Sequence, residues 1–105
     1  MKVINSITNG NWSSSDIWDN GVPNLNDVVY INHILNLDID SSTILNLYIT
    51  TNGILNCANG KNLNSSNITI IGGQILCDEF SVITCTTLTS VNMEENVDED
   101  MDENI

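Results

Sequence analysis

Apolar and polar positions along the chain follow a short repeat. Ile34-Leu35-Asn36-Leu37, Ile44-Leu45-Asn46-Leu47 and Ile54-Leu55-Asn56-Cys57 carry the same pattern at ten-residue intervals, and Ile75-Leu76-Cys77 is a shorter echo. Between the echoes lie Ile68-Thr69-Ile70-Ile71 and Val82-Ile83-Thr84. Val28-Val29-Tyr30-Ile31 is β-branched and aromatic, and from Ile34 to Ile39 the residues Leu35, Leu37 and Ile39 alternate with Asn36 and Asp38, the period of a half-buried strand. Asp40-Ser41-Ser42, Thr51-Asn52-Gly53, Ala58-Asn59-Gly60, Ser65-Ser66-Asn67 and Gly72-Gly73 separate these runs with turn chemistry. No window shows a capped apolar helical stripe, so the pattern predicts an all-β chain with almost no helix.

Short strands with turns every eight to twelve residues suit a sandwich, a barrel or a solenoid, and here the repeat selects among them. Ile34 to Leu37, Ile54 to Cys57 and Ile75 to Cys77 form one column with a rung of 20 or 21 residues. A second column holds Val28 to Ile31, Ile44 to Tyr48 and Ile68 to Ile71 at intervals of 16 and 24, and a third holds Leu63 and Val82. This arithmetic predicts a short right-handed parallel β-helix of about three coils. A β-sandwich is the alternative, because strands this short pair ambiguously. Asn36 and Asn56 fall in register, and stacked amides running along the coils account for the recurrence of asparagine.

The expected solenoid domain spans 1–91, of which 1–27 is a cap segment bearing Trp12 and Trp18. Ser6 to Asn26 is otherwise polar and turn-rich, with Asn9-Gly10-Asn11, Ser13-Ser14-Ser15, Asp19-Asn20-Gly21 and the only proline, Pro23. Two tryptophans in such a loop either pin it over the open end of the core or present a surface for glycan stacking. A solenoid has two open ends, each an unpaired strand edge that invites association. The tryptophan segment suits one; the other is left to Thr86 to Val91, to the tail or to another subunit.

Charge changes the picture. Fourteen acids against two lysines, Lys2 and Lys61, with no arginine, give a formal charge of −12. Long-range attraction to nucleic acid or to an anionic membrane is excluded on that account. Seven of the acids lie in the last dozen residues, so the body is only moderately acidic and 92–105 reads as an acidic C-terminal tail. The opening Met1-Lys2-Val3-Ile4-Asn5-Ser6 lacks the apolar core of a signal peptide, and a cytoplasmically made protein is expected. Three cysteines, Cys57, Cys77 and Cys85, have no paired metal spacing and read as buried free thiols.

Candidate chemistry is sparse. Asp16 with Asp19, Asp38 with Asp40 and Asp78 with Glu79 are acid pairs of the kind a polysaccharide-cleaving β-helix uses, but basic partners are nearly missing, so no catalytic residue is assigned. His33, the only histidine, reads as a turn residue. Asp98, Asp100 and Asp102 resemble the start of a calcium loop without its glycine or its final glutamate, so no metal site or cofactor is assigned. Glycosylation sequons at Asn11, Asn64 and Asn67 carry no weight without a secretory signal.

Gly10-Asn11-Trp12-Ser13, Trp18, Gly21-Val22-Pro23 and Asp27-Val28-Val29-Tyr30-Ile31 together resemble the opening of β-helical surface domains, in particular the extracellular type named for eight glycines, and of phage β-solenoid modules. The resemblance covers about residues 9 to 57 and implies a β-helical body. With an Asn/Ile-rich composition and no secretion signal, it points to a non-enzymatic virion protein, a capsid decoration or head-fibre component similar to those of crAss-like bacteriophages. The partners so implied are other virion proteins, further copies of the chain with a trimer favoured, and a host surface glycan. The carboxylates of Glu94, Glu95, Asp98, Asp100 and Asp102, with Val97, Met101 and Ile105 as apolar contacts, are the expected partner-binding residues. Met93, Val97, Met101 and Ile105 recur every four residues, the spacing of a short docked helix. The alternative is a carbohydrate-binding β-helical module that uses Trp12, Trp18 and asparagine side chains.

Overall fold

The computed structural model describes residues 1–57 and 60–91. The described residues form ten strands: β1 Val3–Asn5, β2 Gly10–Asn11, β3 Val28–Ile31, β4 Ile34–Leu37, β5 Ile44–Ile49, β6 Ile54–Cys57, β7 Leu63–Ile71, β8 Gln74–Cys77, β9 Ile83–Thr84 and β10 Thr87–Val91. Every pairing between these strands is parallel. One sheet runs β1-β3-β5-β7-β10, with β9 alongside β7, and the other runs β2-β4-β6-β8. From β1 to β8 successive strands alternate between the sheets, so the chain winds as a β-solenoid of about three turns. The only helical element among the described residues is a 3₁₀ turn at Ser15–Ile17.

Register follows the repeat. Ile34 pairs Ile54 and Ile54 pairs Gln74, which gives the 20-residue rung expected for that column. In the other column the expected intervals of 16 and 24 are corrected. Val28 pairs Asn46 and Asn46 pairs Asn67, spacings of 18 and 21. The slip arose from aligning strand starts, whereas the fold aligns Tyr30 with Tyr48 and Val29 with Leu47, which keeps the apolar side chains on one face.

The expected third column is also corrected: Leu63 pairs Ile83 rather than Val82, and Leu63 begins the nine-residue β7. The turn expected at Ser65-Ser66-Asn67 lies inside that strand. Their side chains bond the preceding coil there, the Ser65 hydroxyl with the Ile44 carbonyl at 3.2 Å and the Asn67 amide with Asn46 Oδ1 at 2.9 Å. Ile39, expected on the inner face beyond Leu37, is 40% exposed because β4 ends at Leu37.

The core is a set of stacked columns. Ile4, Val29, Leu47 and Ile68 are consecutive register partners, and Leu35 and Leu55 form the facing column; all six are fully buried. Each inner residue thus touches a like residue one coil away, and burial rather than strand propensity holds the coils together.

At the corner before β4, β6 and β8 stand His33, Gly53 and Gly73, one per coil. The carbonyl of His33 accepts the amide of Ile54, and that of Gly53 accepts the amide of Gln74. A Cβ at Gly73 would meet the Thr50 carbonyl oxygen at 2.5 Å and that of Gly53 at 2.7 Å, so glycine is required at this close approach of the coils.

The first coil is longer than the others. Ile4 pairs Val29, a rung of 25 residues, and the excess forms a lid over the N-terminal end. Trp12, Ile17 and Trp18 insert into the core from this lid. Ile7 donates its amide to the Ile17 carbonyl at 2.7 Å, Asp19 donates to the Asn5 carbonyl at 3.0 Å, and Ser6 bridges Trp18 in antiparallel fashion. The free edge of β1 is therefore occupied by the chain's own backbone.

Candidate functional site

The structure distributes the residues singled out from sequence into three settings. Trp12 and Trp18 lie inside. Trp12 is fully buried and Trp18 is 4% exposed; their rings meet edge to face at 5.2 Å, and Trp18 Nε1 donates to the Trp12 carbonyl at 2.9 Å. Neither ring face is open to a sugar in this arrangement. Their place is in the core beneath the lid, because a polar loop needs large apolar anchors to seal a solenoid end.

The carboxylates form the second setting. Asp27, which sequence reasoning left without a role, is buried and accepts the backbone amides of Lys2 and Asn24 at 2.9 Å each. Asp19 accepts the Asn5 amide at 2.8 Å and its side-chain nitrogen at 3.0 Å. Asp38 accepts the Ser13 amide at 2.9 Å and the Ser13 hydroxyl, and Asp40 accepts the Asn62 amide at 2.8 Å. Asp78 accepts the amides of Phe80 and Ser81. These acids clamp turns and neighbouring coils.

Asp19 lies below the ordinary carboxylate range because the Asn5 backbone and side chain hold its charged form. Asp27 and Asp38 are lowered as well: burial pushes both upward, and their hydrogen bonds outweigh it. Within the pairs Asp16/Asp19 and Asp38/Asp40, only Asp19, Asp38 and Asp40 have these backbone contacts.

The tail residues Glu94, Glu95, Val97, Asp98, Asp100, Met101, Asp102 and Ile105 lie outside the described residues. So do Met93 and the calcium-loop resemblance.

Among the cysteines, Cys57 is buried, Cys85 is half-buried and Cys77 is exposed, which corrects the expectation of three buried thiols. Cys77 is the register partner of Cys57, and among the described residues no further coil covers its side of the column. Burial and the neighbouring Cys77 push the Cys57 thiol up to about 12. His33 faces the Ser6 hydroxyl through Nδ1 at 2.8 Å, while that hydroxyl accepts the Asn32 amide, so the imidazole is part of a corner. No group of three or more metal-ligating side chains occurs among the described residues.

The outer faces carry amides and rings. Asn11, Asn36 and Asn56 stand in register, joined by amide contacts of 3.4 Å, and Asn46 and Asn67 form a tighter pair. Tyr30 and Tyr48 stack at 4.7 Å with a 15° interplanar angle beside that pair. This ring stack was missed because the sequence alignment of the column was two residues out; matching Val28-Val29-Tyr30-Ile31 to Asn46-Leu47-Tyr48-Ile49 finds it. A cleft of about 180 Å³ opens among Thr43, Ser65, Ser66, Thr84, Cys85 and Thr86. It holds hydroxyls and a thiol and no charged group.

The third setting is the C-terminal end. Every residue of β10 is exposed, and beyond Ile68 no described residue is fully buried. Leu88 continues the column Ile4-Val29-Leu47-Ile68 and is 61% exposed. Leu76, Phe80, Val82, Ile83 and Val91 around it are between 36% and 69% exposed. Thr86 to Val91, one of the segments expected to cover this end, contains the last described strand, whose outer edge has no strand partner among the described residues. The signal was present in Leu88, an apolar residue in register with the core.

No protein-family model, no curated protein and no solved structure matches the chain.

Proposed function

We propose that the chain is a non-enzymatic structural component of a virus particle, a capsid decoration or head-fibre protein of a bacteriophage, assembled in the host cytoplasm. In this reading the β-solenoid is a compact module and its acidic C-terminal segment attaches it to a basic surface on a neighbouring particle protein. The observation that carries the reading is the division of labour among the acids. Asp19, Asp27, Asp38, Asp40 and Asp78 hold backbone amides of the body, whereas the seven acids of 94–103 follow directly on the open end. A dense run of carboxylates suits a partner surface rich in lysines and arginines. Deletion of 93–105 tests it: the truncated protein is expected to fold and to be lost from particles, and normal incorporation would overturn the attachment.

A second reading, a carbohydrate-binding module, draws support from the stacked Tyr30 and Tyr48 beside Asn46 and Asn67 on the outer face of the sheet, in place of the enclosed tryptophans. Glycan-array binding that disappears in Tyr30→Ala/Tyr48→Ala, with unchanged circular dichroism, is the result that would favour it.

A further inference from the structure

The two ends of the solenoid differ, and the difference restricts how the chain can associate. At the N-terminal end the lid bonds to the edge of β1, so no strand can be added there without displacing Ile17 and Asp19 from their backbone partners. At the C-terminal end β8 pairs only β6, and β9 and β10 pair only β7. Among the described residues the opposite edges of these strands have no strand partner.

Gln74–Cys77 and Thr87–Val91 contain no charged residue and no proline. Between and beside them lie Leu76, Phe80, Val82, Ile83 and Leu88.

The geometry points to a second copy of this chain as the occupant, docked C-terminal end to C-terminal end about a two-fold axis, with β10 against β10 and β8 against β8 in antiparallel register. Three considerations carry this. With one end lidded, head-to-tail stacking into a fibre is blocked, and a self-complementary patch at the other end closes as a dimer. Two short strand edges with six large apolar side chains are on the scale of the about 800 Å² per partner of a standard interface. Leu88, which lacks the next coil, would meet the apolar layer of the partner.

Charge permits the arrangement. Antiparallel pairing centred on Thr89 places the two Val91 residues at opposite ends of the strand pair, about 13 Å apart at 3.3 Å per residue. That exceeds the roughly 8 Å screening length at physiological salt, so the acidic segments leaving each β10 repel only weakly. Seven of the fourteen residues of 92–105 are acids, a composition ill suited to covering an apolar face. A dimer differs from the trimer expected from sequence, and the inference does not depend on the particle reading.

Sedimentation velocity of the full chain at physiological salt tests the inference. A concentration-dependent dimer is expected, strengthened by added salt. Leu88→Lys on the inner side of β10 and Thr89→Lys on its outer side should each raise the dimer Kd by roughly tenfold or more, with unchanged circular dichroism. Ile7→Lys at the lidded end should leave it unchanged. Should Leu88→Lys fail to fold, Thr89→Lys carries the test alone. A monomer at tens of micromolar overturns the proposal, and a fragment 1–91 that dimerises where the full chain does not would name the acidic segment as the cover. An open-ended ladder, or a dimer weakened by Ile7→Lys, overturns the two-fold arrangement.

Discussion

Asp27 holds the backbone amides of Lys2 and Asn24 in one carboxylate, tying the start of the chain to the turn that leads into β3. Asp27→Asn keeps one acceptor oxygen and turns the other toward an amide as a donor. The expected loss is about 1–3 kcal/mol. Thermal denaturation of the variant against the parent reads it directly, and a shift under 2 °C, well below the roughly 4–8 °C per kcal/mol of a domain this size, would remove Asp27 from the account.

Acid should act through the same groups. Asp19, Asp27 and Asp38 are all held below their ordinary value of 3.8. A carboxylate whose folded pKa is depressed contributes stability above its unfolded pKa and loses it as pH falls through the folded one. The melting temperature should therefore drop steeply below about pH 4, and the Asp27→Asn variant should show a shallower drop. A titration that moves the melting temperature equally in both proteins would contradict this.

The two asparagine stacks should differ in worth. Asn67 donates to Asn46 at 2.9 Å and to the Leu45 carbonyl at 3.3 Å in a half-buried setting, whereas Asn36 contacts Asn11 and Asn56 only at 3.4 Å and is exposed. Asn67→Ala should cost about 1–2 kcal/mol and Asn36→Ala under about 0.5 kcal/mol in urea denaturation.

How much of this was visible in the chain itself follows from what each residue type reports. The rungs through Ile34, Ile54 and Gln74 were legible because the same tetrapeptide recurs in register. The Tyr30–Tyr48 stack was not, since aligning strand starts gave that column an interval of 16 where the pairing has 18. Nor was Asp27: its partners are backbone amides, which leave no trace in side-chain identity. The enclosure of Trp12 and Trp18 was open at the sequence level, because an indole suits a lid and a ligand platform equally until burial is known.

Gly73 should be intolerant of any side chain. A Cβ there lies against the Thr50 and Gly53 carbonyl oxygens and the Ile49 side chain, and backbone cannot yield as a flexible side chain can. Gly73→Ala is expected to cost about 2–3 kcal/mol or more, seen as a large fall in denaturation midpoint, while Gly72→Ala on the exposed turn costs less.

The thiols should react in order of exposure. Cys77 is exposed and should label first with a maleimide at neutral pH; Cys57, buried and pushed up to about 12, should label only after unfolding. Fast labelling of Cys57 in the native protein would mean that the last coil opens readily.

The 25-residue first rung also sets an order of events during synthesis. The lid completes its contacts with Asn36 and Asp38, the Trp12 amide to the Asn36 carbonyl and Ser13 to the Asp38 carboxylate, so it can close as soon as the second coil has emerged. Each later coil then needs only the one before it as a template. A nascent chain built this way is sealed at its leading end and sticky only at its growing end, so its last apolar rung is the final surface to become available to a partner.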